Sequence, residues 1–315
     1  MMKFIVGKKY LFLKNDRNKV FEKYLQDKLT QETELETLKI KNSVIKINCL
    51  NKMVMIIPDK YEIYPEDIKL LPKRSFTDRI NKLLTDKNFN KINVKKELLK
   101  LNFLTYYELD THYTTETIIH LFNLILKKFN LDYQIKKEEA IDKSRFIFFT
   151  DLLNSEKIKE NFSYQINFKK DVIIKDSDFE VWKYHFLRSQ EGKKLFNNSF
   201  DKILDKCQLD HPVHRVLNNE DQFEKVKYFG SYIDKENKTG NPYFNEFYLQ
   251  SISKNFKINK KIVLVGDSYL SVGLMDLFCF SFKEVIFIRN RNIDVEIINS
   301  YQPDYFLFEK AGRFI

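Results

Sequence analysis

The sequence predicts an α/β fold in which a mostly parallel sheet is flanked by helices, of the doubly wound kind. Two observations carry this. Towards the C-terminus, apolar runs at 261–265 (KIVLV), 285–288 (VIFI) and 305–308 (YFLF) alternate with helical segments at 270–280 and 293–300. Strand–helix–strand order implies parallel pairing with right-handed crossovers. Further upstream, 53–57 (MVMII) is a short, continuously apolar run stopped by Pro58-Asp59, the pattern of a strand buried on both faces. It is expected in the same sheet.

The remaining elements follow in chain order. Residues 3–6 and 10–14 are apolar runs around Gly7-Lys8-Lys9 and read as a hairpin. Residues 32–50 are helix-like, with Leu35, Leu38, Val44, Ile45 and Ile47 as the apolar stripe. Residues 76–84 are helical again. The clearest helix is 114–130, where Thr114 or Thr115 can cap and Glu116 sits in the first turn. Ile118, Leu121, Phe122, Ile125 and Phe129 give it an i, i+3/i+4 face. Beyond it the pattern is mixed: strands at 146–150 and 172–175, and helical pieces around Trp182 and Phe200. We read 1–315 as one α/β domain with an insertion or subdomain at 132–254.

Composition narrows the class. A 43% hydrophobic and 31% charged chain is not disordered, and 7 Gly and 6 Pro in 315 residues exclude collagen-like and low-complexity architectures. Cys49, Cys207 and Cys279 form no Cys-x-x-Cys, which argues against a zinc knuckle or dithiol site, and the odd count fits a reducing compartment. No apolar run approaches ~18 residues, so no transmembrane helix is expected. No secretory h-region is visible, so the expectation is a cytoplasmic protein as written, or a periplasmic one if the sequence is trimmed. The balance of 54 Lys+Arg against 44 Asp+Glu gives a net charge of +10, scattered along the chain. It reads as solvated surface or as help in binding an anionic ligand, with no nucleic-acid partner expected.

In doubly wound sheets, sites form at the carboxyl ends of strands. Ser268, in Gly266-Asp267-Ser268-Tyr269, lies just past the 261–265 strand at the mouth of a helix. Helix N–H groups there can stabilise an oxyanion, with Gly266 and Tyr269 beside it. By itself Gly-Asp-Ser is weak evidence and reads first as an ordinary strand-to-helix turn, where Asp267 can be the helix cap. Asp110 and His112, at i and i+2, point the same way if extended, so Asp110 can orient the His112 imidazole. The bland alternative is a turn carboxylate and a surface histidine. Together the two motifs supply the nucleophile, base and orienting acid that acyl transfer needs.

Other candidates are Arg289 and Arg291, after the 285–288 strand, as anion ligands or solvated loop residues, and Asn241 or Asn245 as an oxyanion donor. His211 and His214 with Asp210 have the spacing of a weak metal pair, but structure or surface is the stronger reading and no metal is expected. His120 packs or faces water. His185, near Trp182 and Tyr184, reads as core or as a sugar groove.

Four stretches resemble the SGNH-hydrolase-like (flavodoxin-like) domain of the alginate O-acetyltransferase family, of AlgJ/AlgX type. They are GKKYLFLKND (7–16), MIIPDKYEIYPEDI (55–68), YYELDTHYTTET (106–117) and VLVGDSYL (263–270), followed by the tail QPDYFLFEKAGRFI (302–315). The resemblance covers roughly 3–125 and 255–315. Tyr113 stands where that family has Trp. The resemblance implies Ser268 as nucleophile, His112 as base and Asp110 as orienting acid, in an enzyme that O-acetylates a bacterial polysaccharide, such as a capsule or exopolysaccharide, through an acetyl-enzyme. It implies no bound cofactor but an acetyl donor: acetyl-CoA in a cytoplasmic setting, or a membrane-associated biosynthetic partner in a periplasmic one. A carbohydrate acetylesterase uses the same residues with water as acceptor. A non-catalytic polysaccharide-binding module would have no need of all three.

Overall fold

The computed structural model describes residues 3–6, 11–15, 20–25, 29–68, 76–106, 113–136, 216, 219–229 and 247–315. The expected strands at 146–150 and 172–175 and the helical pieces around Trp182 and Phe200 lie outside these residues, as do 137–215 in general. Among the described residues, strands β1 (Lys3–Val6) and β2 (Leu11–Asn15) form the antiparallel pair read as a hairpin.

Seven strands make the main sheet, in the order β4-β3-β9-β7-β8-β6-β5. They are β3 (Asn51–Ile57), β4 (Asn90–Ile92), β5 (Phe223–Phe229), β6 (Phe247–Ser253), β7 (Ile258–Gly266), β8 (Phe282–Arg289) and β9 (Tyr305–Ala311). The run from β4 to β8 is parallel, and β6 and β5 complete the sheet with antiparallel pairings. The fold is therefore the expected α/β type. β5 and β6 fall within 132–254, so part of that span belongs to the main sheet.

Both faces of β3, β7, β8 and β9 are buried over their apolar runs, which is why these strands read as continuously apolar. On one face Met53, Met55, Ile262, Leu264 and Leu307 pack under α6 (Thr115–Lys128) and α7 (Met275–Ser281), against Phe122, Ile125 and Phe278. On the other, Val54, Ile56, Val263, Val265 and Phe308 pack against α2 (Gln31–Lys46), α4 (Phe76–Leu83) and α8 (Val295–Ser300). Short helices α1 (Val20–Leu25), α3 (Lys60–Ile63) and α5 (Val94–Leu98) complete the described set.

Thr114 caps α6 through its hydroxyl, which accepts the Thr117 N–H, and the anticipated apolar face is buried. α2 differs from its expected stripe. Leu35 and Leu38 are exposed, and the buried line is Thr33, Thr37, Ile40 and Val44. The threonines fit there because their hydroxyls find acceptors, Thr33 on the Ile315 carbonyl and Thr37 on the Thr33 carbonyl.

Candidate active site

β7 is where the strand order reverses. The chain leaves it through α7 on one face to reach β8, then returns through α8 on the other face to β9 on its opposite side. Such a point opens a crevice at the carboxyl ends of the strands. Register aligns those ends: Ile57 lies beside Ala311, Val265 beside Phe308 and Gly266 beside Arg289. Ser268, half-buried, is the second residue past β7. The helix expected at 270–280 begins as a π turn, Leu270–Leu274, before α7. Such widened turns recur at functional sites.

The turn around Ser268 is tied down by two carboxyls. The Asp267 side chain accepts the Tyr269 N–H at 3.0 Å with one oxygen and the Ala311 N–H of β9 at 2.8 Å with the other. Glu309 of β9 reciprocates and accepts the Asp267 N–H at 3.0 Å. Gly266 has no room for a side chain, because a Cβ there would stand 2.7 Å from Glu309 Oε2. Burial, and then the Asp267 charge, hold the Glu309 carboxyl well above the usual carboxylate range. Its Oε1 makes no hydrogen bond. The Tyr269 N–H is thus engaged by the Asp267 side chain. Gly266 lies beneath the turn and acts there by having no side chain.

Aromatic rings and an ion pair line the same edge. Tyr106 and Tyr113 pair through a β-bridge, with ring centroids 4.7 Å apart. The Tyr106 hydroxyl donates to the Pro58 carbonyl at the end of β3. The Tyr113 ring packs 5.1 Å from that of Tyr269, next to Ser268. Burial pushes both the Tyr106 and the Tyr113 phenols up. Arg313 pairs with Asp59 at 2.8 Å and donates to the Tyr269 hydroxyl at 3.4 Å. The Arg291 guanidinium lies 3.5 Å from the centroid of Phe314, and burial lowers its pKa.

Of the residues singled out from sequence, Ser268, Gly266, Tyr269, Arg289 and Arg291 meet at this edge. Arg289 is itself buried. Asp110, His112, Asn241 and Asn245 lie outside the described residues, as do Asp210, His211, His214, Trp182, Tyr184 and His185. His120 lies within α6, with its pKa lowered by burial. Sequence reasoning missed Glu309, Asp59 and Arg313. The signal for Glu309 was available: a carboxylate directly following a buried apolar strand run is rare unless partnered.

No family model and no curated protein matches the chain. Among solved structures it is similar to a DHHW family protein from Eubacterium siraeum, at 12% identity and a TM-score of 0.46, covering 98% of this chain and 93% of that one. It is also similar to Bacillus cereus PatB1, at 11% identity and a TM-score of 0.47, covering 99% and 96%. A third is the O-acetyltransferase domain of Pseudomonas putida AlgJ, at 11% identity and a TM-score of 0.41, covering 99% and 91%.

Proposed function

We propose that the protein is a serine-dependent O-acetyltransferase acting on a polysaccharide, with Ser268 as nucleophile, His112 as base and Asp110 as the acid that orients it. One observation supports this above the others. Tyr113, bonded to His112 in the chain, packs against Tyr269, which is bonded to Ser268. Two motifs more than 150 positions apart in sequence thus have their flanking residues in contact at the carboxyl end of β7.

In this mechanism His112 takes the proton from Ser268 Oγ as that oxygen attacks the acetyl carbonyl. The tetrahedral intermediate collapses, the donor's leaving group departs with the proton from His112, and the acetyl group stays on Ser268. A sugar hydroxyl then gives its proton to His112 and attacks the acetyl-enzyme. That releases the acetylated sugar and restores the serine. Asp110 holds the imidazole tautomer and stabilises the imidazolium. Acetyl-CoA is the donor we propose to try first, beside an activated acetyl ester.

The test is to supply the donor with and without a panel of oligosaccharides and to weigh the products. The expected result is acetyl-ester mass on an oligosaccharide, dependent on Ser268. A well-held acceptor has an effective molarity of ~10⁵ M or more and outcompetes ~55 M water. Free acetate from every acceptor, together with stripping of acetylated polymer, would replace the transferase with an esterase.

A further inference from the structure

Glu309 is a fully buried carboxyl at the active-site edge that the proposed triad does not use. Burying a carboxyl directly after the apolar run Tyr305, Phe306, Leu307 and Phe308 is costly unless its contacts compensate. Those contacts form a reciprocal clasp. The β9 carboxyl takes the Asp267 N–H just past β7, and the Asp267 carboxylate takes the Ala311 N–H at the end of β9. Asp267 also takes the Tyr269 N–H. The amides on both sides of Ser268 are therefore fixed, one by Glu309 and the other by Asp267. The bare Gly266 Cα lets the Glu309 carboxyl lie directly under the turn.

We infer that Glu309 is a positioning residue for Ser268, holding the nucleophile turn against β9 through its hydrogen bond with the Asp267 amide. This rests on the reading of Ser268 as nucleophile. Burial, and then the Asp267 charge, push the Glu309 carboxyl towards its neutral form. A glutamine keeps the length of the side chain and an oxygen to accept the Asp267 N–H, and should therefore do the same work. A leucine cannot.

The experiment measures kcat and KM for hydrolysis of an activated acetyl ester by the full chain and by Glu309→Gln, Glu309→Leu and Ser268→Ala, with thermal melts of each. The expected result is Glu309→Gln within about threefold of the parent, and Glu309→Leu with kcat lowered about 10- to 100-fold while KM moves less than about twofold. Misplacement of a reacting atom by ~1 Å costs on the order of 10²-fold. If Glu309→Leu does not fold, Glu309→Asp takes its place, since it withdraws the acceptor by one methylene and should show the same split. Parental kcat in Glu309→Leu with turnover lost in Ser268→Ala overturns the positioning role alone. An equal loss of kcat in the glutamine and leucine variants also overturns it. Full turnover in Ser268→Ala overturns the nucleophile reading, and with it the purpose of the clasp.

Discussion

Replacing Glu62 with glutamine should change how stability depends on pH. Glu62 is buried in α3, where its carboxyl accepts the Thr77 N–H at 3.0 Å and the Thr77 hydroxyl, and stands 3.5 Å from Lys95 Nζ. Burial raises its pKa from 4.5 to about 7, against the opposing pull of Lys95 and Thr77. Because the folded-state value lies above the unfolded one, the contribution of Glu62 to stability is fully present below pH ~4.5. It is lost as pH rises through about 7. At ~1.4 kcal/mol per pKa unit, the rise amounts to about 3 kcal/mol between the two ends. Glutamine keeps the shape and the acceptor for the Thr77 N–H but cannot ionise, and Lys95 retains Asp78 at 2.8 Å. Urea unfolding of both proteins from pH 4 to pH 8 should show Glu62→Gln gaining about 3 kcal/mol on the parent towards the alkaline end. A difference that stays constant within about 0.5 kcal/mol over that range would refute the reasoning.

Other outcomes follow from the active-site edge. Gly266→Ala drives a methyl to 2.7 Å from Glu309 Oε2 and 2.9 Å from a Leu270 methyl. It should cost about 1–3 kcal/mol in a urea melt and lower ester turnover with it. Arg313→Met removes one partner, 2.8 Å away, of the largely buried Asp59 and should destabilise by about 1–3 kcal/mol. Adding Asp59→Asn should recover part of that loss in the same melts. Ser268→Ala and His112→Ala should each remove nearly all turnover, and the double variant should be little slower than either, because the members of the proposed triad would act as a unit. Additive losses in that comparison would separate the two residues.

Much of this molecule is legible locally. A parallel strand covered on both faces has to be apolar throughout, so β3, β7, β8 and β9 announce themselves. The 3.6-residue periodicity does the same for α6, where cap and buried face agree with the pattern. Elements with weaker local signals are harder to see. β5 carries exposed Glu224, Lys225 and Lys227, and β6 carries Gln250 and two serines, so the apolar character of these antiparallel strands is diluted. In α2 the leucines suggested a face that the fold leaves in solvent. The buried line uses threonines, whose hydroxyls bond to backbone carbonyls that the helix pattern does not reveal.

The sequence by itself determined the α/β class, the strands of the parallel core other than the short edge strand β4, and the position of Ser268 just beyond one of them. Its motifs are also the basis on which His112 and Asp110 are proposed as partners of Ser268. Only the tertiary structure decided what surrounds the serine. β9 inserts between β3 and β7, and that placement brings Glu309 under Gly266, Ala311 onto Asp267, and Arg313 between Asp59 and Tyr269. The reason is physical. Neighbouring parallel strands are chosen by how crossover helices pack on the two faces, through contacts summed over many distant residues. No local run of the chain encodes which carboxyl will end up beneath which turn.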